Sequence, residues 1–156
     1  MLTRSRGRLR ASALVLLLAS VLGSVAVAAP AEASDWRSQV PHEASRHKGA
    51  PYQYGAAGPS RFDCSGLTMV VYRKFGKSLP HNASQQYSVM HHFSPSRKVP
   101  GDLLFFRNSS GRISHVAIYA GVSPTSHKAL MWHAPHSGEV VKLVPIYSSN
   151  YLVGRL

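Results

Sequence analysis

Cysteine is all but missing from this sequence: Cys64 stands alone among 156 residues. No disulfide can form within the chain, so the fold must rest on its core. Carboxylates are scarce as well, 6 against 18 Lys and Arg. Such a balance draws a protein to anionic surfaces by long-range attraction. The basic residues lack the clustering and aromatic interleaving of a nucleic-acid face, so nucleic acid is not the expected partner. The nine histidines show neither H-E-x-x-H nor H-x-x-x-H spacing, so neither a metal nor another cofactor is expected. No repeat or low-complexity segment follows the first 33 residues.

Those first residues read as a targeting segment. Arg4, Arg6, Arg8 and Arg10 form a basic stretch, and Ala11 to Ala29 is an apolar run. Ala31-Glu32-Ala33 then places small residues where signal peptidase would cut, before Ser34. No cysteine follows the apolar run closely enough for a lipoprotein anchor, and the basic pairs are interrupted, so no twin-arginine signal is evident. The expectation is a cleaved signal peptide over 1–33 and a secreted or wall-located protein with no stable membrane anchor. Removing residues 1–33 leaves 123 residues, enough for one domain with one core and read as a monomer. Their charge is +9, from 14 basic and 5 acidic residues.

What is present centres on Asp63-Cys64-Ser65-Gly66-Leu67. The turn-rich run Gly55 to Arg61 precedes it, and the apolar run Leu67 to Phe75 follows. Cys64 therefore opens a predicted helix, with Asp63 as N-cap and Gly76 as its stop. A helix N-terminus favours an anion and is expected to lower the thiol's pKa. Its N–H groups suit an oxyanion hole, and Gly66 would keep the approach clear for a substrate. A lone cysteine is commonly a small buried hydrophobe. Here the helix start and two downstream histidines argue instead for a thiol–imidazole site.

The remaining pattern supplies a scaffold. Residues 34–48 read as a short helix broken by Pro41, with Trp36, Val40 and Ala44 on one face and His42 and His47 solvated. A polar surface helix is expected over Ala83 to His91, capped by Asn82. Val99 to Asp102 is a turn, in which Asp102 reads as a turn-former. Leu103 to Phe106 is a buried strand, and Asn108 to Arg112 a hairpin loop. In Ser114 to Gly121, His115, Ala117 and Tyr119 point one way while Val116, Ile118 and Ala120 point the other. Strands follow over Leu130 to Ala134, Glu139 to Ile146 and Tyr151 to Leu156. Helices first and strands after give an α+β fold with an antiparallel sheet. His115 on a strand suits a rigidly held base, and His133 on a neighbouring strand could fix its tautomer.

Residues 49–156 resemble the NlpC/p60 family of papain-like cell-wall peptidases. The resemblance is carried by Tyr52-Gln53-Tyr54-Gly55, Asp63-Cys64-Ser65-Gly66-Leu67, Leu79-Pro80, Pro100-Gly101-Asp102-Leu103, Ser114-His115-Val116-Ala117-Ile118-Tyr119 and His133-Ala134. It implies a circularly permuted papain-like fold, Cys64 as nucleophile, His115 as base and His133 as its orienter. It implies a role for Tyr52 at the oxyanion or substrate site, beside Ser65 and Gly66. The substrate it implies is a peptidoglycan stem peptide, cut between D-γ-glutamate and meso-diaminopimelate or lysine. The chain departs from the pattern at Ala56, where a second glycine is usual, at His81, where arginine usually follows Leu-Pro, and at Ala117, where glycine is common. The +9 charge would supply adhesion to anionic wall polymers, in place of the family's accessory wall-binding domains. Other readings share these residues: an amidase, acyltransferase or transglutaminase-like enzyme of the same fold, or a wall-binding domain without activity.

Overall fold

The computed structural model describes residues 35–156; the signal peptide expected over 1–33 and its cleavage site lie outside them. Three helices, α1 (Trp36–Ser45), α2 (Cys64–Arg73) and α3 (Ala83–Ser88), are followed by six strands among the described residues. The strands are β1 (His91–Phe93), β2 (Leu103–Arg107), β3 (Ile113–Val122), β4 (Ala129–His133), β5 (Lys142–Pro145) and β6 (Tyr151–Arg155). They form one sheet in the order β1-β6-β2-β3-β4-β5, antiparallel throughout. The α+β arrangement expected from the pattern is the one observed.

α2 is the central helix because its sequence is apolar nearly all round. Leu67, Val71 and Tyr72 are at most 1% exposed. They pack with Leu103, Phe105, Val116 and Ile118 from the sheet and with Val40 and Ala44 from α1. The opposite face of the sheet carries a smaller cluster of Leu104, Phe106, Ala117, Tyr119, Met131 and Val153. The alternation along β2 and β3 thus feeds two apolar layers, which is why Leu103 to Phe106 is buried on both sides.

α1 is not broken at Pro41; it runs through it. The missing N–H at Pro41 leaves the Arg37 carbonyl without its helical donor. That carbonyl is covered by the backbone of Gly101, where an added Cβ would collide with the Arg37 oxygen. The Trp36 face packs as expected, edge-on to Tyr72 at 5.5 Å between ring centroids. His47 is not solvated: its ring lies 4.7 Å from that of Phe62, and burial lowers its pKa.

α3 is shorter than the expected helix and is not a purely surface element. Gln86 is fully buried. Its amide nitrogen donates to the carbonyls of Ser65 (2.9 Å) and Pro80 (2.8 Å), and its oxygen accepts from Thr68 Oγ1 at 2.7 Å. A polar residue is tolerated there because its partners are all supplied. His91 and His92 leave the helix altogether and form β1 at the sheet edge, opposite Arg155 and Gly154.

Gly66 sets how closely the loop before α2 can lie against the helix. An added Cβ would strike the Ala56 carbonyl oxygen and come within 3.0 Å of Ala57 Cα. That carbonyl already accepts from Asp63 N–H at 2.8 Å, so it cannot swing away. Alanine would gain about 1 kcal/mol in helix propensity over glycine, against an overpacking cost of roughly 1–3 kcal/mol. Because the obstruction is backbone, the clash wins: Gly66→Ala is expected to lower stability. A urea midpoint equal to or above that of the parent protein would refute this.

Candidate active site

Asp63 closes the N-terminus of α2 and does more than cap it. Its Oδ1 accepts from Gly66 N–H at 2.6 Å and from Ser65 Oγ at 3.1 Å. Its Oδ2 accepts from Gly55 N–H at 2.8 Å. His81 Nε2 lies 2.9 and 3.0 Å from the two oxygens. One carboxylate, 6% exposed, therefore ties the loop before α2, the helix and the segment before α3 into one frame. His81, standing where the family pattern has arginine, is part of that frame; only its departure from the pattern marked it in the sequence.

Cys64 is the first residue of α2 and is partly buried, with a free thiol. Burial raises the thiol's pKa above its usual value, and the Asp63 charge adds to this. The backbone N–H groups of Val116, Ser65 and Cys64 oppose the rise without overcoming it. The expected lowering by the helix N-terminus is thus outweighed by desolvation. Cys64 packs against the core that includes Val116 of β3, the residue after His115.

His115 and His133 meet as the strand register dictates. Ile118 pairs with Trp132 and Tyr119 with Met131. Continuing that register puts His133 opposite Ala117, so His115 is its diagonal neighbour on the same face. His115 Nε2 and His133 Nδ1 are 3.0 Å apart. Burial, followed by the His133 and His136 charges, lowers the His115 pKa to about 4. Burial and then the Lys142 charge lower that of His133 to about 4. Both rings are neutral at pH 7. His133 Nε2 is buried and has no hydrogen-bond partner among the described residues.

A bulge separates the two halves of the site. Phe106 pairs with His115, but Arg107 pairs with Ile113, so Ser114 is the extra residue. Strict alternation would aim Ile113 and His115 the same way. With the bulge, Ile113 packs into the helix-side core and lines a cleft of ≈ 330 Å³ together with Tyr52, Cys64 and Ser65. His115 and His133 line a second cleft, of ≈ 780 Å³, walled by Tyr147 and Pro145. Ser114 borders both.

Tyr52 is held in place through its backbone, which donates to Glu139 O at 2.8 Å, and its ring faces the first cleft. Burial raises its pKa, with the Cys64 charge as the next cause, so its hydroxyl stays protonated. Gly66 lines neither cleft; its N–H is held by Asp63 and its Cα faces Ala56, the chain's own backbone. Tyr147, stacked on Phe106 at 5.3 Å, had no motif to announce it. Asp102 is fully buried and bonded to Arg155, with Nε–Oδ1 at 2.7 Å, away from the thiol, as its reading as a turn residue requires.

Known proteins share this fold. The model of the NlpC/P60 family matches residues 49–152. The "Probable endopeptidase p60" of Listeria monocytogenes is 48% identical over 115 residues, covering 72% of this chain and 22% of that protein. The "Gamma-DL-glutamyl hydrolase" of Bacillus subtilis is 42% identical over 85 residues, covering 53% of this chain and 21% of that protein. The chain thus spans about a fifth of the length of the curated relatives it matches. Among solved structures, the NlpC/p60 domain of the peptidoglycan hydrolase SagA superposes with a TM-score of 0.66 at 33% identity, covering 77% of this chain and 98% of that one. The match extends over most of the described residues and takes in α2, α3, β1 to β5 and the start of β6, with Cys64, His115 and His133, and on it the chain belongs to the NlpC/P60 family.

Proposed function

We propose that this protein is a secreted or wall-located cysteine endopeptidase of peptidoglycan. It cuts stem peptides at the D-γ-glutamyl bond to diaminopimelate or lysine through an acyl-enzyme on Cys64. The observation that carries this reading is the 3.0 Å contact from His115 Nε2 to His133 Nδ1, in a chain whose one thiol stands at a capped helix start. Membership of a family with peptidoglycan hydrolases, and relatives named endopeptidase and γ-glutamyl hydrolase, support the substrate class.

The chemistry follows from the protonation states. With both imidazoles neutral, His115 keeps its proton on Nε2 and donates it to His133 Nδ1. Its Nδ1 is then free to take the proton of the Cys64 thiol. The sulfur attacks the amide carbonyl, and the oxyanion is met by Cys64 N–H and the protonated Tyr52 hydroxyl. The His115 imidazolium gives its proton to the departing amine, which leaves a thioester. Water, deprotonated by His115, then releases the acyl group and restores the thiol. His133 contributes by holding the His115 ring and its tautomer, and needs no charge of its own. This arrangement places the His133 proton on Nε2, a buried donor without a partner, at a cost of about 1–3 kcal/mol. Ser65 serves the cap of Asp63, and Gly66 the packing of the loop.

The decisive experiment is mass spectrometry of products from a defined muropeptide. Cys64→Ala is expected to abolish the cleavage while the protein stays folded, and Cys64→Ser to be nearly inactive. Turnover by folded Cys64→Ala would defeat the assignment.

Because the contacting atom of His133 is Nδ1, an asparagine oxygen can occupy its place, whereas a glutamine oxygen lies one bond further out. His133→Asn is therefore expected to keep measurable kcat/KM, His133→Gln less, and His133→Ala least. His115→Gln should be inactive, since no amide carries the proton. A fully active His133→Ala would remove His133 from the site.

The pH profile carries its own sign. A base whose pKa is lowered stays unprotonated until the pH falls to that lowered value. kcat/KM is thus expected to hold through pH 6 and fall only as the pH approaches about 4. A profile with its acid limb near the ordinary histidine value would show that the base does not carry the lowered pKa expected from burial.

A further inference from the structure

The cleft that holds Cys64 does not end at Tyr54. It runs on into a larger polar hollow of ≈ 850 Å³, and the two share Tyr54, Asn82, Ser84 and Ile113 as common wall. Arg107 and Arg112 line the far part of that hollow, both exposed. They stand at the two ends of the β2–β3 hairpin loop, which its own bonds hold in shape. Asn108 Oδ1 accepts from Ser110 N–H and Arg112 N–H, each at 3.0 Å. Asn108 N–H donates to Arg112 O at 2.9 Å.

These two guanidinium groups have no carboxylate partner among the described residues. The described residues contain five carboxylate side chains. Asp35 pairs with Arg37, Glu43 with Arg46 and His47, and Asp63 with His81. Glu139 pairs with Lys142, and Asp102 with Arg155. None of the ion pairs among the described residues includes Arg107 or Arg112, and no carboxylate lines the hollow. Two arginines in a groove wall, with amide and hydroxyl groups around them, match the bidentate geometry of a carboxylate.

The direction of the substrate says which part of it arrives there. This step rests on the proposed cleavage. His115 must protonate the leaving amine, and it lines the second cleft, so the leaving residue lies on that side. The acyl residue then lies in the Cys64 cleft, and whatever precedes it runs past Tyr54 toward the arginines. We infer that Arg107 and Arg112 form an anion-binding subsite for the part of the substrate that precedes the acyl residue, and that this part is a peptide bearing a free carboxylate. A γ-linked acidic peptide fits, because each such residue leaves one carboxylate outside the chain of amides.

The test uses Cys64→Ala protein, which holds ligand without turning it over, and fluorescence anisotropy of a labelled γ-linked tetraglutamate. The same peptide with its side carboxylates amidated serves as the uncharged comparison. The acidic peptide is expected to bind roughly tenfold tighter than the amide, as charge-assisted bidentate pairs do. In an Arg107→Gln/Arg112→Gln background that preference should vanish. A Lys48→Gln/Lys128→Gln control, which removes the same charge from exposed positions elsewhere, should retain it. Equal binding of the two peptides, or equal loss in the control, would overturn the inference. So would a glycerol-phosphate oligomer that binds through the two arginines when the acidic peptide does not. With Cys64 present, a cleavable acid-extended peptide should show its advantage in KM, and the arginine variants should lose it there. If that protein cleaves nothing while the anisotropy result holds, the subsite stands and the cleavage assignment falls.

Discussion

The carboxylate of Asp63 is the contact on which the site depends. A buried charge is costly unless every lone pair is used. Here the donors come from Gly55, Ser65, Gly66 and His81, four positions spread over 26 residues of sequence. Each donor holds something different: the turn that carries Tyr52 and Tyr54, the first turn of α2, and the segment that leads into α3. Removing the carboxylate would release all three together. The position before the nucleophile is therefore a structural keystone as much as a helix cap. Gly66 is its complement: the loop can reach Asp63 only because no Cβ stands between the helix and Ala56.

The same compactness decides the chemistry of the thiol. Helix N–H groups and the Val116 N–H favour a thiolate, but desolvation and the neighbouring Asp63 charge favour the neutral thiol and prevail. Desolvation also discharges His115 and His133. A neutral thiol and a neutral imidazole make a consistent resting state: no ion pair is stored in a poorly solvated place. The linkage has a stability side. A histidine with a lowered folded pKa is protonated more readily when unfolded, so the contribution of both rings is complete above about pH 6.5 and is lost as pH falls toward 4.

Much of this was legible in the sequence, for reasons that can be named. The apolar run after Cys64 has helical spacing, Asp63 is a cap by type, and Ser114 to Gly121 alternates strictly enough to place His115 on a strand. The family motifs then singled out His133. What could not be read depends on partners distant in sequence. Gln86 looks like a surface residue until Thr68, Ser65 and Pro80 converge on it. Pro41 looks like a helix breaker until the Gly101 backbone covers the carbonyl it leaves bare. His91 and His92 have no strand propensity to speak of; they become β1 because β6 offers an unpaired edge. The helix dipole argument at Cys64 was sound in direction and wrong in outcome, because burial of the sulfur cannot be estimated from composition.

The bulge at Ser114 shows how one extra residue makes a site out of a sheet. An antiparallel sheet offers two faces, and a regular strand commits alternate residues to each. Cys64 belongs to the helix side, because α2 packs on Val116 and Ile118. His115 stands on the face shared with Phe106, Ala117 and Tyr119. A regular β3 would bury this difference inside the sheet. The irregularity between Phe106 and Arg107 inserts Ser114 into β3 before the pairing resumes at Arg107 and Ile113, so that Ser114 borders both clefts. Arg107 follows the regular alternation of β2, on the face of Leu103 and Phe105, and lines the hollow beyond Tyr54. The opposed placements of Ile113 and His115, and the place of Ser114 between the two clefts, share one geometric cause. A shift of the β2–β3 register by one residue would disperse them.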